Sequence, residues 1–384
     1  MSAVIACIAT SDWPDEWPEL IDCLLRPLEC VTPSLYSGIC TSSDTDAILG
    51  SLCCLQVCAS DFGEAHLTSS QDRLLGLLFA LYSDTPHLIV RVRALAINVA
   101  RKLFERISTF SSDRKLIGNL ESRCLPLWAS NVLSLLNTPS NSALDSHELQ
   151  ISSLRFLEVV VAQYPKSLRG HESQLLPALG VQLSMVYAKH AQSLLSESAE
   201  QSRDEDGNAL GVDAHAAQLF DVLSALALSS RFSKCLKPIL AEIIFALIGL
   251  MRIPQTSQST WETDLEAYLS DEDEDSFAIT TRVAAQQLLV ELLDSTGQRA
   301  LPSLCGAVER ALTQAESEPN PTPISIKSEE APRWLWRESA YVALSIGAEI
   351  LCRGVYRARR DGKVPSFNAV ALLNPDGPLL RDVQ

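Results

Sequence analysis

Between Glu262 and Asp275 the chain carries eight carboxylates: Glu262, Asp264, Glu266, Asp271, Glu272, Asp273, Glu274 and Asp275. No Lys or Arg occurs between Arg252 and Arg282. Like charges in a row repel and oppose compact packing, so residues 255–277 read as a solvated, mobile loop. The chemistry such a run can do is electrostatic. A flexible anionic arm attracts basic proteins, imitates the charge of a nucleic acid, and weakens as salt rises. Asp271 to Asp275 are the residues expected to carry that attraction. The bland reading of the same residues is a solvated spacer. Trp261 and Tyr268, interleaved with the acids, suit either of two tasks: anchoring a partner, or tethering the loop to the fold.

Other residues with chemical potential lead less far. DWPDEWPEL (12–20) places Trp13-Pro14 and Trp17-Pro18 four positions apart. The prolines suggest a turn entering a helix, and rings burying large areas usually serve packing, so these four residues read as a structural junction rather than a ligand site. Eleven cysteines lie mostly in apolar runs such as SLCCLQVCAS (51–60), as reduced core residues do. Cys53, Cys54 and Cys58 have no second Cys or His pair at ligand spacing, so no metal is expected. The six His are dispersed and form no nucleophile–base pattern. Neither a G-x-G-x-x-G nor a phosphate-binding G-x-x-x-x-G-K-[ST] loop is present, so no cofactor and no enzymatic activity are expected. Arg353, Arg357, Arg359, Arg360 and Lys363 cluster where a helix is expected to end, as suits the negative pole of a helix dipole.

The elements that must position these residues are helices. Hydrophobic residues make up 47% of the chain, aromatics 6%, and Gly only 16 of 384 positions. A core of Leu, Ala, Val and Ile with few glycines favours helix over hairpins. Apolar residues recur at helical spacing over 44–62, 71–83, 83–107, 120–137, 144–165, 172–196, 213–230, 235–251, 277–294, 299–316 and 334–357. In the 83–107 helix, Val90, Ala94, Ile97 and Ala100 trace an apolar stripe, while Arg91, Arg93, Arg101 and Lys102 mark wetter positions. Paired helices recurring every ~40–60 residues suggest an all-α solenoid of stacked HEAT (ARM-type) repeats, about six pairs plus a partial one. The expected array spans 1–360, interrupted by loops at 196–212, 255–277 and 317–332, and 361–384 reads as a linker or the start of another repeat. The net charge of −16 argues against nucleic acid and favours basic partners. The first residues, MSAVIACIAT, lack a basic leader, and no uncharged apolar run reaches the ~18 residues needed to span a bilayer, so no membrane insertion is expected.

Three segments resemble the importin-β (karyopherin) superfamily. AVIACIATSDWPDEWPELIDCLL (3–25) is similar to a repeat junction built on D-W-P-x-x-W-P-x-L. WETDLEAYLSDEDEDSFAITTRVAAQQLLVELLD (261–294) resembles the importin-nine subgroup, and WLWRESAYVALSIGAEIL (334–351) follows in the same order. The resemblance implies a nuclear import receptor without enzymatic chemistry, shuttling between cytoplasm and nucleus through the pore. It implies basic cargo such as histones or ribosomal proteins, the small GTPase Ran in its GTP form, and Phe-Gly nucleoporins as partners. It also implies that most of the N-terminal Ran-binding repeats and the C-terminal repeats lie outside residues 1–384. With a receptor as the frame, the acidic run is favoured as a cargo arm over a spacer. The competing expectation is a HEAT scaffold that assembles other subunits without Ran or transport.

Overall fold

The structure, a computed structural model, describes residues 4–5, 8, 16–37, 42–60, 62–83, 89–110, 117–118, 120–138, 145–195, 202–203, 209–271, 280–317 and 332–360. The chain divides into two compact units, Met1–Gln182 and Leu183–Gln384.

The first unit contains α1 (Leu20–Ser37), α2 (Ser42–Cys58), α3 (Glu64–Tyr82), α4 (Val90–Thr109), α5 (Leu125–Leu136) and α6 (Asp145–Gln163). A π-helical turn, Leu120–Cys124, leads into α5, whose second residue is Pro126. The helices pack on elements near them in sequence: α1 on α2 and α3, α4 on α2, α3 and α6, and α5 on α6. This local, layered packing is the mark of helical repeats. Of the apolar stripe expected on α4, Ala94, Ile97 and Ala100 are buried and Val90 is half-buried, and the buried surface is wider than that stripe. Val92, Ala94, Leu95, Ala96, Ile97, Val99 and Ala100 are all buried because α4 is covered from more than one side.

Aromatic rings fill the middle of this unit. Trp128 is almost fully enclosed, with Tyr82 stacked at 5.5 Å, Phe156 at 5.4 Å and Phe79 edge-on at 5.2 Å. The buried hydroxyls find partners, Tyr164 donating to the Phe104 carbonyl at 2.6 Å and Tyr82 meeting Ser153 Oγ at 3.3 Å. Burial pushes the Tyr82 phenol up to about 12. Three basic residues of α4, two of them at positions the sequence marks as wet, bind helix ends. Arg93 donates to the Tyr82 carbonyl, Lys102 to that of Gln56 and Arg106 to that of Phe62. Those carbonyls lie at or just beyond the C-termini of α3 and α2, where helices leave acceptors unsatisfied.

Helix α7 (Glu172–Ser193) contains the boundary between the units. The second unit continues with a two-residue antiparallel ribbon, β1 (Ser202–Arg203) and β2 (Ala209–Leu210), inside the 196–212 loop. Then come α8 (Val212–Leu228), α9 (Leu240–Leu250), α10 (Gln255–Thr263), α11 (Leu265–Asp271), α12 (Thr281–Thr296), α13 (Leu301–Ser317), α14 (Arg333–Ile346) and α15 (Ala348–Arg360). Here α12 packs on α8, and α9 lies against α12, α13 and α14.

Two expected helices are divided. The 235–251 helix begins with a short turn, Ser233–Leu236, and a 3-10 turn, Lys237–Ile239, because Pro238 has no N–H to continue the ladder. The 334–357 helix breaks at Gly347, where a Cβ would stand 2.4 Å from Leu304 Cδ2, so a larger residue there would displace the Leu304 side chain of α13. A third difference concerns the acidic insertion. Its first part is not a loop: residues 255–271 form α10 and α11. Asp271 closes α11, and Glu272, Asp273, Glu274 and Asp275 lie outside the described residues.

Candidate functional site

The insertion begins where α9 ends. Arg252 is buried and folds back, its Nε donating to the Gly249 carbonyl at 2.8 Å. Its guanidinium lies 4.2 Å from the centre of the Trp336 ring and 5.7 Å from that of Tyr187, whose hydroxyl it also meets at 3.3 Å. Ring faces attract a desolvated cation, so the two rings help stabilise the charge. The Arg252 carbonyl accepts a hydrogen bond from His190 Nε2 at 3.1 Å, which fixes that nitrogen as the protonated one of a neutral ring. Burial, reinforced by the Arg252 charge, pushes His190 down to about 4. Gly249 leaves room for Tyr187: a Cβ there would lie 2.6 Å from Tyr187 Cε2.

Chain direction is then set by three contacts. Gln258 donates to the Ile253 carbonyl, holding the first turn of α10 over the entry point. Trp261 packs against Leu194, Ile253 and Leu335, so it tethers the insertion to the core. Asp264 makes the corner: its backbone N–H closes α10 on the Thr260 carbonyl, and its carboxylate caps α11 by accepting from Glu266 and Ala267 N–H at 2.9 and 3.2 Å. Asp264 therefore has a structural task as well as a charge. Glu262, Asp264 and Glu266 are all exposed.

The insertion returns at Thr280, whose hydroxyl caps α12 by accepting from Val283 N–H. Thr281 donates through its N–H and its hydroxyl to Asp213 Oδ1, at 2.7 and 2.5 Å, tying the return point to the start of α8. Arg282 is buried and forks onto Glu338, at 2.9 and 2.7 Å, while also donating to the Met251 carbonyl. Met251 precedes Arg252, so the insertion leaves and re-enters the unit at one place. Its two ends are the nearest cations flanking the acid run, Arg252 and Arg282, and both are buried against α14. Sequence reading missed this root. The signal was present in the empty interval between the two arginines, but their partners Trp336 and Glu338 are more than fifty residues away.

The remaining expectations fall elsewhere. Tyr268 lies on α11. Trp17 is half-buried and Pro18 exposed, and the Trp17 carbonyl accepts from Leu20 N–H at the start of α1. Trp13 and Pro14 lie outside the described residues. Arg353, Arg357, Arg359 and Arg360 occupy the later turns of α15, with Arg353 paired to Glu349, and Lys363 lies outside the described residues. Among the described residues no group of His, Cys, Asp or Glu is arranged to hold a metal. No described helix is long and apolar enough to cross a membrane.

A family model described as "Importin-9 central HEAT repeats" matches residues 236–340, from the turn before α9 into α14. That stretch contains the insertion and both sides of its root. The chain resembles the importin-β superfamily and, within it, importin-9. Importin-9 of Drosophila melanogaster is 21% identical over 338 residues, covering 87% of this chain and 31% of the relative. A solved structure, "The exportin Cse1 in its cargo-free, cytoplasmic state", aligns with a TM-score of 0.57 at 13% identity, covering 90% of this chain and 35% of that one. The fold is thus an α-solenoid of HEAT repeats, and the importin-like chain spans about a third of the length of these relatives.

Proposed function

We propose that this chain is the cargo-handling part of a nuclear transport receptor, binding basic proteins such as histones or ribosomal proteins for import. The observation that carries the reading is the insertion itself: a run of carboxylates whose two ends are locked by buried Arg252 and Arg282 and by half-buried Glu338 and Trp261. The root is fixed to the helices, and the exposed carboxylates of Glu262, Asp264 and Glu266 attract a cationic partner over roughly a Debye length, about 8 Å at physiological salt. The work is binding, not bond-making: steering, charge neutralisation and release. Its likeness to an importin and an exportin supports the transport class and, with it, shuttling between cytoplasm and nucleus. Control by Ran-GTP and passage on Phe-Gly nucleoporins belong to the same proposal.

The test is a binding assay with histone dimers across a salt series. The reading expects affinity to fall steeply with salt and to drop when residues 271–275 are replaced by Ser. Binding unchanged by that replacement removes the arm from the account. Adding Ran-GTP to the histone-loaded full-length protein, with its N-terminal repeats present, tests the second half, and bound histones indifferent to it at every concentration would speak for a scaffold.

A further inference from the structure

We propose that α11 is a docking ridge for a Lys/Arg-rich amphipathic helix of the cargo, one that carries two apolar residues a turn apart. The proposal rests on the basic-cargo reading above and narrows its partner. Leu265 and Leu269 stand four residues apart, on one face of α11, and are 70% and 60% exposed. The core beneath was within reach, because Trp261 a few residues earlier does insert into it. Ala267, between the leucines, is half-buried, so α11 turns this small residue inward and both leucines outward. A solvated spacer gains nothing from leucines on its outer face, since their exposure opposes the solubility its acids provide.

Charge decides the occupant. Glu262, Asp264 and Glu266 are exposed beside the two leucines, and Asp271 ends the helix. A second copy of this acidic surface is repelled, and a purely apolar partner leaves the carboxylates without counter-charges. A helix with Lys and Arg flanking an i, i+4 apolar pair satisfies both at once, and the apolar contact holds when salt screens the charges.

The experiment uses the full chain and two labelled peptides of identical composition and charge, read by fluorescence anisotropy. One places its Leu pair on a single helical face among lysines, and the other permutes the sequence so the leucines lie on opposite faces. The expected result is roughly tenfold tighter binding of the first, as burial of two partly covered leucines implies. L265S/L269S should erase that ratio while leaving the permuted peptide's affinity and the thermal melt unchanged. Equal affinity for the two peptides, or a ratio that survives L265S/L269S, overturns the ridge while leaving acid-driven cargo binding intact. Failure of both peptides and of histone dimers to bind overturns the cargo reading itself. Self-association that vanishes in L265S/L269S makes a second copy the occupant and also overturns the proposal.

Discussion

Arg282 and Glu338 form the ion pair on which the re-entry of the insertion depends. Removing one partner leaves the other charge in a largely dry place, which is costlier than replacing both by apolar groups. Glu338→Ala should lower unfolding stability by about 2–3 kcal/mol, the lower end of that range reflecting the partial exposure of Glu338, and R282M/E338L should recover most of it. Urea unfolding of the three variants decides. His190 supplies the pH dependence at this root. An ordinary histidine titrates near 6.5 and His190 near 4, so between these values the unfolded chain binds the extra proton. The stability it contributes is complete above pH 6.5 and is lost as pH falls toward 4, about 3 kcal/mol in all. H190Q, which keeps a donor for the Arg252 carbonyl, should flatten stability across that window in denaturant titrations. A single run of sequence was enough to expose the carboxylates as a group, because charge is additive along the chain. Arg252, His190 and Glu338 were hidden because each acquires its role only from residues brought together by packing.

At the scale of elements, Gly249 governs how closely α9 approaches α7. Gly249→Ala pushes a methyl into Tyr187 and displaces the hydroxyl that meets Arg252, and should destabilise by about 1–3 kcal/mol in the same unfolding assay. Trp261 offers the opposite signature. Because it fastens α10 to the Leu194, Ile253 and Leu335 cluster, W261A should strip amide-exchange protection from α10 and α11 while leaving α12 protected. Equal loss of protection in α12 would make Trp261 a core residue of the whole unit rather than a tether. Helix existence was plain from apolar periodicity, yet α10 was not, since QTSQSTWET has no apolar stripe and is held by Gln258 and Trp261 instead. The close packing at Gly347 was equally hidden, since the leucine it meets is over forty residues away.

For the molecule as a whole, a net charge of −16 favours the cationic partners of the proposed function, while the HEAT-type stacking sets how that charge is displayed. Fold class was readable in the sequence because repeats bury their apolar faces locally. The root of the insertion beside α14 was not, because it depends on where Arg252 and Arg282 come together in the fold. The measurement that bears most directly on the account is the salt dependence of histone-dimer binding to this chain, compared with its variant bearing Ser at 271–275. The account predicts tight binding at low salt that weakens steeply, and a variant with both lower affinity and a shallower slope. Affinity and slope that are the same in both chains would contradict it.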